Sequence, residues 1–461
     1  MRKLLLLLAL LFLSVLSAAG QEINWTTYQD MAVRQLQRYL QINTTNPPGN
    51  ELQAVRFFQE WFAAEGIPCE VYEFAPGRAV LIARLKGDGT QRPLILLHHM
   101  DVVSSDPARW RVDPFSGAIV GGSVYGRGAL DTKGLGLLEA MVLVILKREG
   151  VPLHRDVLFV ATADEEVDVR GADWLAANQR QQLAAAEYVI NEGGDNLIEN
   201  GRIRFFGVDT AEKAPFWLRV RARGRPGHGS RPLRDAATHR LIRALTRLVA
   251  WETPIKVLPG VEKFFHDLAV QESAERAEQF RHLREAIQDP NFRGTLTGDE
   301  MYNYMLRNTV SLTMLQGSKQ TNVIPGEAVA QLDVRLLPGE EPQEFLRELR
   351  GVLADDTLEI EPVAGSFRPA NSSPADTELF HAIEAVVGKY FPGAVITTRM
   401  LSGWTECQVF RQLGSVCYGF SPFLLTREEI ATVHGDNERV SVENVRRGLR
   451  VLYEVVERVA R

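Results

Sequence analysis

The chain has 461 residues, with 52 Lys and Arg against 58 Asp and Glu (formal charge −6), 45% hydrophobic and 24% charged residues. This is globular usage over a length sufficient for two or three domains, so disorder, collagen and coiled coil are excluded for most of the chain. Mild acidity argues against a nucleic-acid binder, and three cysteines (Cys69, Cys407, Cys417) without a C-x-x-C pair argue against a disulfide-built scaffold or a thiolate zinc site.

Met1-Arg2-Lys3, an apolar run over 4–13 and Ser17-Ala18-Ala19-Gly20 read as a secretory signal peptide over residues 1–20. The run is too short for a membrane span, which takes about 20 residues; a retained anchor is the alternative. The expectation is an exported protein, periplasmic or extracellular, with no membrane contact beyond the signal. Without Arg2 and Lys3 the charge is −8 (50 basic against 58 acidic).

Apolar spacing predicts helices over 28–42 and 51–65, separated by the loop Thr44-Thr45-Asn46-Pro47-Pro48-Gly49-Asn50. Strands come next over 69–74, 79–85 and 94–97, then a buried helix over 134–148, and buried strands over 157–163 and 188–190. Alternating strands and helices indicate an α/β unit with a mostly parallel sheet. Near Ala214 the character changes. A half-exposed strand at 216–222 precedes a helix at 236–251 and a charged helical stretch at 261–287. Strands at 310–315, 328–336 and 357–362, with a helix at 342–353, complete a second α+β unit. Beyond Ser373 the buried pattern resumes, with helices at 377–390 and 442–459 and strands near 394–398 and 415–417. The resulting division is a catalytic domain over 21–213 and 366–461, interrupted by an inserted domain over 214–365.

Five short segments carry candidate chemistry, each past a buried strand or in a loop, where α/β sheets gather ligands. They are His98-His99-Met100-Asp101, the glycine-rich 126–134 with Asp131, Asp164-Glu165-Glu166, Asn191-Glu192-Gly193-Gly194, and His434. Singly, such acids read as helix caps or solvated charges, and such histidines as surface or core residues. Together, two histidines and several carboxylates supply enough nitrogen and oxygen for two Zn²⁺-like ions. Three adjacent acids at a strand end repel one another unless a cation or proton is present. No Gly-x-Ser-x-Gly elbow supports a serine hydrolase.

The order His99-x-Asp101, Asp131-x-Lys133-Gly134, Asp164-Glu165-Glu166, Asn191-Glu192-Gly193-Gly194, Gly227-His228, Thr321-Asn322-Val323-Ile324-Pro325 and His434 resembles the M20 family of dizinc peptidases and amidohydrolases. Tyr125-Gly126-Arg127-Gly128, Ala211-Glu212-Lys213, Val433-His434-Gly435-x-Asn437-Glu438 and the helical insert near 261–287 resemble its carboxypeptidase S and N-fatty-acyl-amino-acid hydrolase branch. The resemblance implies a zinc-exopeptidase-like catalytic domain with an inserted lid and dimerisation domain, and two Zn²⁺ (Co²⁺ or Mn²⁺ also fitting). It makes Asp131 the bridge, places His99 and Glu192 on one ion and Glu166 and His434 on the other, and makes Glu165 the general base. Asp101 would orient His99. His228, from the lid and in many relatives from the partner subunit, would polarise the scissile carbonyl. Asn322, Arg335 and Gly403 would hold the substrate.

Thr132 departs from the second acid or Met of many relatives, with little effect expected. Trp404-Thr405-Glu406 departs from Gly/Asn-Thr-Asp, which would reshape the pocket floor. His98 is not expected to be a ligand. Cys407 and Cys417 are expected to be free, pairing being the alternative. The expected function is amide hydrolysis of N-acyl amino acids, with an exopeptidase on short peptides as the alternative and a non-catalytic metal or ligand-binding module as a remote one. A homodimer through the lid is the expected assembly.

Overall fold

The computed structural model describes residues 23–365 and 367–461. The signal peptide expected over 1–20 lies outside them.

The chain first forms α1 (Trp25–Leu40), α2 (Glu51–Ala64), β1 (Cys69–Ala75), β2 (Arg78–Leu85), β3 (Leu94–His99), α3 (Lys133–Arg148), β4 (Val157–Thr162), α4 (Arg170–Asn178), β5 (Tyr188–Asn191), β6 (Asn196–Glu199) and β7 (Arg202–Glu212). It then leaves for β8 (Ala214–Pro215), β9 (Leu218–Arg223), β10 (Gly227–His228), α5 (Ala237–Val249), α6 (Pro259–Leu268), β11 (Thr309–Gln316), β12 (Val323–Ile324), β13 (Glu327–Leu336), α7 (Pro342–Leu353) and β14 (Glu359–Pro362). It returns with α8 (Glu378–Tyr390), β15 (Ile396–Leu401), α9 (Cys407–Gln412), β16 (Val416–Gly419), β17 (Leu424–Thr426) and α10 (Val442–Ala460).

The large sheet runs β1-β2-β4-β3-β5-β16-β7-β6-β17, with β15 also pairing β7. Its central strands β4, β3, β5 and β16 are parallel, while hairpins such as β1–β2 and β6–β7 are antiparallel. The strand β4, apolar up to its terminal Thr162, and the apolar start of β3 are buried throughout, as parallel strands covered on both faces must be. Helix α3 is buried from Lys133 to Leu146 because it packs between the sheet, α1 and α10. A Cβ at Gly136 would fall 2.1 Å from the His98 ring, so glycine is what lets α3 settle onto β3. Among the described residues no helix is long and apolar enough to cross a membrane.

The second sheet runs β8-β13-β9-β14, with β11 on the far side of β13. Leu218, Val220 and Ala222 face its core while Arg219 and Arg221 do not, as their alternation predicts. Helices α5 and α7 close this core through Leu241, Leu245, Phe345 and Leu349.

The helical stretch between these strands behaves differently. It is broken into α6, Ala274–Arg281, Leu283–Ala286, Pro290–Thr297 and Glu300–Leu306, rather than running through 261–287. Ser273, Asp289 and Asp299 cap three of the pieces with their side chains, which restarts the helix each time. Phe264, Phe265, Phe280 and Tyr302 share a core with Leu197, Phe205 and Met400 of the large sheet. Residues 214–365 are therefore not one inserted body, because their helical middle packs on the large sheet. The eleven-residue β7 carries no clean period in the sequence, since Gly207 and the buried Asp209 and Glu212 interrupt its apolar run.

Cys407 and Cys417 form a disulfide with Cα atoms 5.4 Å apart, which corrects the expectation of free thiols. Spacing along the chain could not reveal it: Cys407 opens α9, and the turn at Gly414 brings the chain back so that β16 lies beside that helix. Cys69 is free and half-buried. Because the bridge closes a short loop, reduction should lower the unfolding free energy by about 3 kcal/mol. Urea denaturation with and without reductant measures this, and coincident curves would show that the bridge contributes nothing.

Candidate metal centre

Three adjacent parallel strands bring the acidic segments together. β3 ends in His99, β4 leads into Asp164-Glu165-Glu166, and β5 leads into Glu192, so their carboxyl ends open side by side. The loop entering α3 adds Asp131. The loop carrying His434 is held beside it because Arg439–Ser441 pairs with Ser123–Tyr125.

The Asp131 carboxylate is divided between two groups. Its Oδ1 lies 3.0 Å from His99 Nε2, which is 3.4 Å from Glu192 Oε2. Its Oδ2 lies 3.0 Å from His434 Nε2, which is 3.1 Å from Glu166 Oε2. In each triad the ligand atoms fall within 4.8 Å of one another. His98 points to the other side of β3, packed against Phe58 and Phe159 with its Nε2 3.3 Å from the Tyr39 hydroxyl.

Four crowded carboxylates with poor access to water cannot all stay charged without a cation. Burial and the charges of Glu192, Glu166 and Asp131 push Glu165 well above the usual carboxylate range, and burial with like charges pushes Glu192 up to about 7. Burial opposes charge on His99, but Glu192, Asp101 and Asp131 outweigh it and hold the imidazole well above its usual range. Hydrogen bonds to Asp131 and Glu166 push His434 up to about 10. Glu166 Oε1 is buried with no hydrogen-bond partner. A site where imidazoles must act as the cations, and where a carboxylate oxygen is left over, fits a pair of divalent ions.

Two further carboxylates build the frame. Asp101 Oδ1 and Oδ2 accept the backbone N–H groups of Glu165 and Glu166, both at 3.1 Å, and Asn46 Nδ2 donates to the same carboxylate at 2.8 Å. Toward His99, the carbonyl oxygen of Asp101 lies 3.0 Å from Nδ1 and its carboxylate 3.7 Å. The carbonyl therefore fixes the tautomer that leaves Nε2 facing the site, while the carboxylate sets the Glu165–Glu166 turn. Asn46 also donates to Asp164, which Arg78 joins to the buried Glu51. Glu438 does the same for Asp131: it accepts the N–H groups of Gly128, Leu130 and Asp131 at 2.8–3.0 Å and pairs with Arg127 at 2.7 Å. Asn46, Arg78 and Glu51 carry no signal in the sequence that marks them for the site. Asn46 sits in a recognisable loop, but nothing local tells that its amide reaches Asp101.

The cleft above the carboxylates is lined by Leu130, Leu401, Trp404, Thr405, Phe423, Leu425 and Val433. Gly403 lies between two of these wall residues. His228, Asn322 and Arg335 do not line it. His228 is exposed on β10, its Nδ1 2.8 Å from the Ser230 hydroxyl, and Asn322 sits beside it with its carbonyl accepting the Gly229 N–H. Arg335 is paired with Asp333 at 2.8 Å, because residues two apart on β13 share a face. Arg335 belongs to the second sheet, whereas His228 lies on the separate two-stranded β10–β12 ribbon and Asn322 in the turn before β12, and this arrangement of the chain holds all three apart from the cleft.

Glu406 does not reshape the pocket floor as expected, since it is wholly buried behind the wall. Burial pushes it up to about 8. The Thr162 hydroxyl lies 2.6 Å from Glu406 and 3.1 Å from the His98 carbonyl, and its one proton cannot serve both. A neutral Glu406 resolves this by donating to Thr162. The folded state then holds a proton that the unfolded state releases in the ordinary carboxylate range, so stability falls as pH rises toward about 8 and levels off beyond. Glu406→Gln removes this dependence. In metal-free protein its melting temperature relative to wild type should rise between about pH 5 and about pH 8; a constant difference would show that Glu406 is ionised.

The profile of Peptidase family M20/M25/M40 matches residues 95–458. The N-fatty-acyl-amino acid synthase/hydrolase PM20D1 of Xenopus tropicalis is 30% identical over 382 residues, covering 81% of this chain and 74% of its own. Aminoacylase-1 of Sus scrofa is 26% identical over 434 residues, covering 93% and 95%. The M20 family metallo-carboxypeptidase Sso-CP2 from Sulfolobus solfataricus shares the fold, with a TM-score of 0.71, 18% identity and coverage of 92% and 98%. The chain thus belongs to peptidase family M20/M25/M40, and it is a metal-dependent amidohydrolase or peptidase.

Proposed function

We propose that the chain is a dinuclear zinc hydrolase that cleaves the amide bond of N-acyl amino acids. The observation that carries this reading is the Asp131 carboxylate divided between the His99–Glu192 and Glu166–His434 pairs, under a cleft walled by Leu130, Leu401, Trp404 and Phe423. Those four protein groups and the bridging Asp131 would hold two Zn²⁺, with Co²⁺ or Mn²⁺ as substitutes. When bound, the pair supplies Lewis acidity that polarises the amide carbonyl and makes water more acidic.

The chain's own residues do the rest. Glu165, beside the two triads and without a cation of its own among the side chains, takes the proton of the attacking water and passes it to the leaving nitrogen. The apolar walls take the acyl chain and exclude water. His228 would reach the carbonyl oxygen once the second sheet closes, or as His228 of the partner subunit, and Asn322, Arg335 and Gly403 would then meet the substrate. A homodimer through the second sheet is supported by β11, an edge strand that exposes Leu312, Met314 and Leu315. Export is supported by the signal-like N-terminus together with the Cys407–Cys417 bridge, which suits an oxidising compartment. Short peptides are the second reading, favoured by the fold shared with the metallo-carboxypeptidase.

Glu165→Gln should lower kcat by about 10²–10⁴-fold with metal content unchanged; a fully active variant that keeps its metal would remove Glu165 from the role of base. Chelation should abolish activity and zinc should restore it at two ions per chain, whereas full recovery at one ion would exclude the dinuclear reading. On a panel of N-acyl amino acids and dipeptides, the N-acyl compounds should be cleaved with the higher kcat/KM. Cleavage of dipeptides alone would favour the exopeptidase.

A further inference from the structure

The Ala211-Glu212-Lys213 segment is where β7 ends and the chain crosses from the large sheet to the second one. Its two charged residues are both buried, and they reach opposite ways. Lys213 Nζ donates to the carbonyls of Tyr304 and Arg307 and to the Thr309 hydroxyl, at 2.8–3.1 Å, and so grips the start of β11. Glu212 turns to the cleft wall: its Oε2 accepts the Thr405 N–H at 2.7 Å and its Oε1 the Thr405 hydroxyl at 3.0 Å.

Arg411 completes the joint. It pairs with Glu212 at 2.7 Å, and it donates to the Ser373 hydroxyl and the Cys417 carbonyl. Ser373 lies on the segment returning from the second sheet, where Ser372 forms an isolated bridge to Ala211. The first and last crossings between the sheets and the wall residue Thr405 thus meet at one buried ion pair. A buried carboxylate with three short bonds has little slack, and Lys213, the next residue, is tied to Thr309 at the start of β11, so a turn of the second sheet pulls through Lys213 on the Glu212 that holds Thr405.

We propose that Glu212 is a positioning residue that transmits the attitude of the second sheet to the cleft wall, so that closure sets Thr405 and Trp404 against the substrate. Where the substrate lies rests on the hydrolase reading above; the link between Glu212 and Thr405 does not.

Glu212→Gln keeps the size of the side chain but removes the charge that holds Arg411. Hydrogen exchange of the Thr405 amide in the zinc-loaded protein should become at least about tenfold faster, beyond any change at the amides of β3 and β4, with zinc content near wild type and a lowered melting temperature, because the buried Arg411 loses its partner. KM for an N-acyl amino acid should rise about tenfold with kcat changed less than about threefold. Thr405→Val removes the hydroxyl bond only, and with Glu212→Gln its effect on KM should be far less than additive. Unchanged exchange at Thr405, additive KM effects, or a loss confined to kcat or to zinc content would overturn the proposal. Faster exchange at Thr405 in a chain whose wild type cleaves no amide would overturn the hydrolase reading instead and leave the link standing.

Discussion

Asp131, from the loop entering α3, is crowded against Glu165, Glu166 and Glu192 at the ends of the parallel strands β4 and β5, and this crowding governs how the surrounding fold is built. Carboxylates this close repel one another, and two imidazoles neutralise only part of the charge. A fold that keeps them together must hold the backbone rigidly, because the side chains themselves would separate. The buried parallel strands supply that rigidity: β3, β4 and β5 have apolar residues on both faces and no freedom to splay.

Rigid strands end before the chemistry begins, and the turns beyond them are held by Asp101 and Glu438. Neither faces the cleft. Each spends its carboxylate on backbone N–H groups, Asp101 on the Glu165–Glu166 turn and Glu438 on the Asp131 loop. Such charge-assisted bonds are among the stronger ones available to a protein and fix peptide planes as well as positions. The outer Asn46–Asp164–Arg78–Glu51 chain braces the first of these turns against α2.

The two sheets are joined by a broader seam than a simple insertion would have. The helices of Pro259–Leu306 sit on the large sheet, so that the segment inserted in sequence contributes to both bodies. The β8–β14 sheet with α5 and α7 keeps a core of its own. Its first and last crossings converge on Glu212, Lys213 and Arg411, next to the wall stapled by Cys407–Cys417.

The α/β class, the strands that build the site, and its acids and histidines can all be read from the order of the amino acids. This is so because a doubly covered strand must be apolar throughout, and the residues just past such a strand must lie at the sheet's open end. His99, Glu165, Glu166 and Glu192 were legible for that reason, and Asp131 and His434, which lie in loops, through their order along the chain. The tertiary structure alone decided that Asp131 divides its oxygens between two triads. It alone decided that Asp101 serves the Glu165 turn, that Glu406 lies behind the wall rather than in it, and that Cys407 meets Cys417. It also set His228, Asn322 and Arg335 away from the cleft. These are contacts between residues far apart in the chain, or between faces of neighbouring elements, and no local period encodes them. A carboxylate that binds a cation and one that binds backbone N–H groups are the same letter in the sequence, and only their surroundings tell them apart.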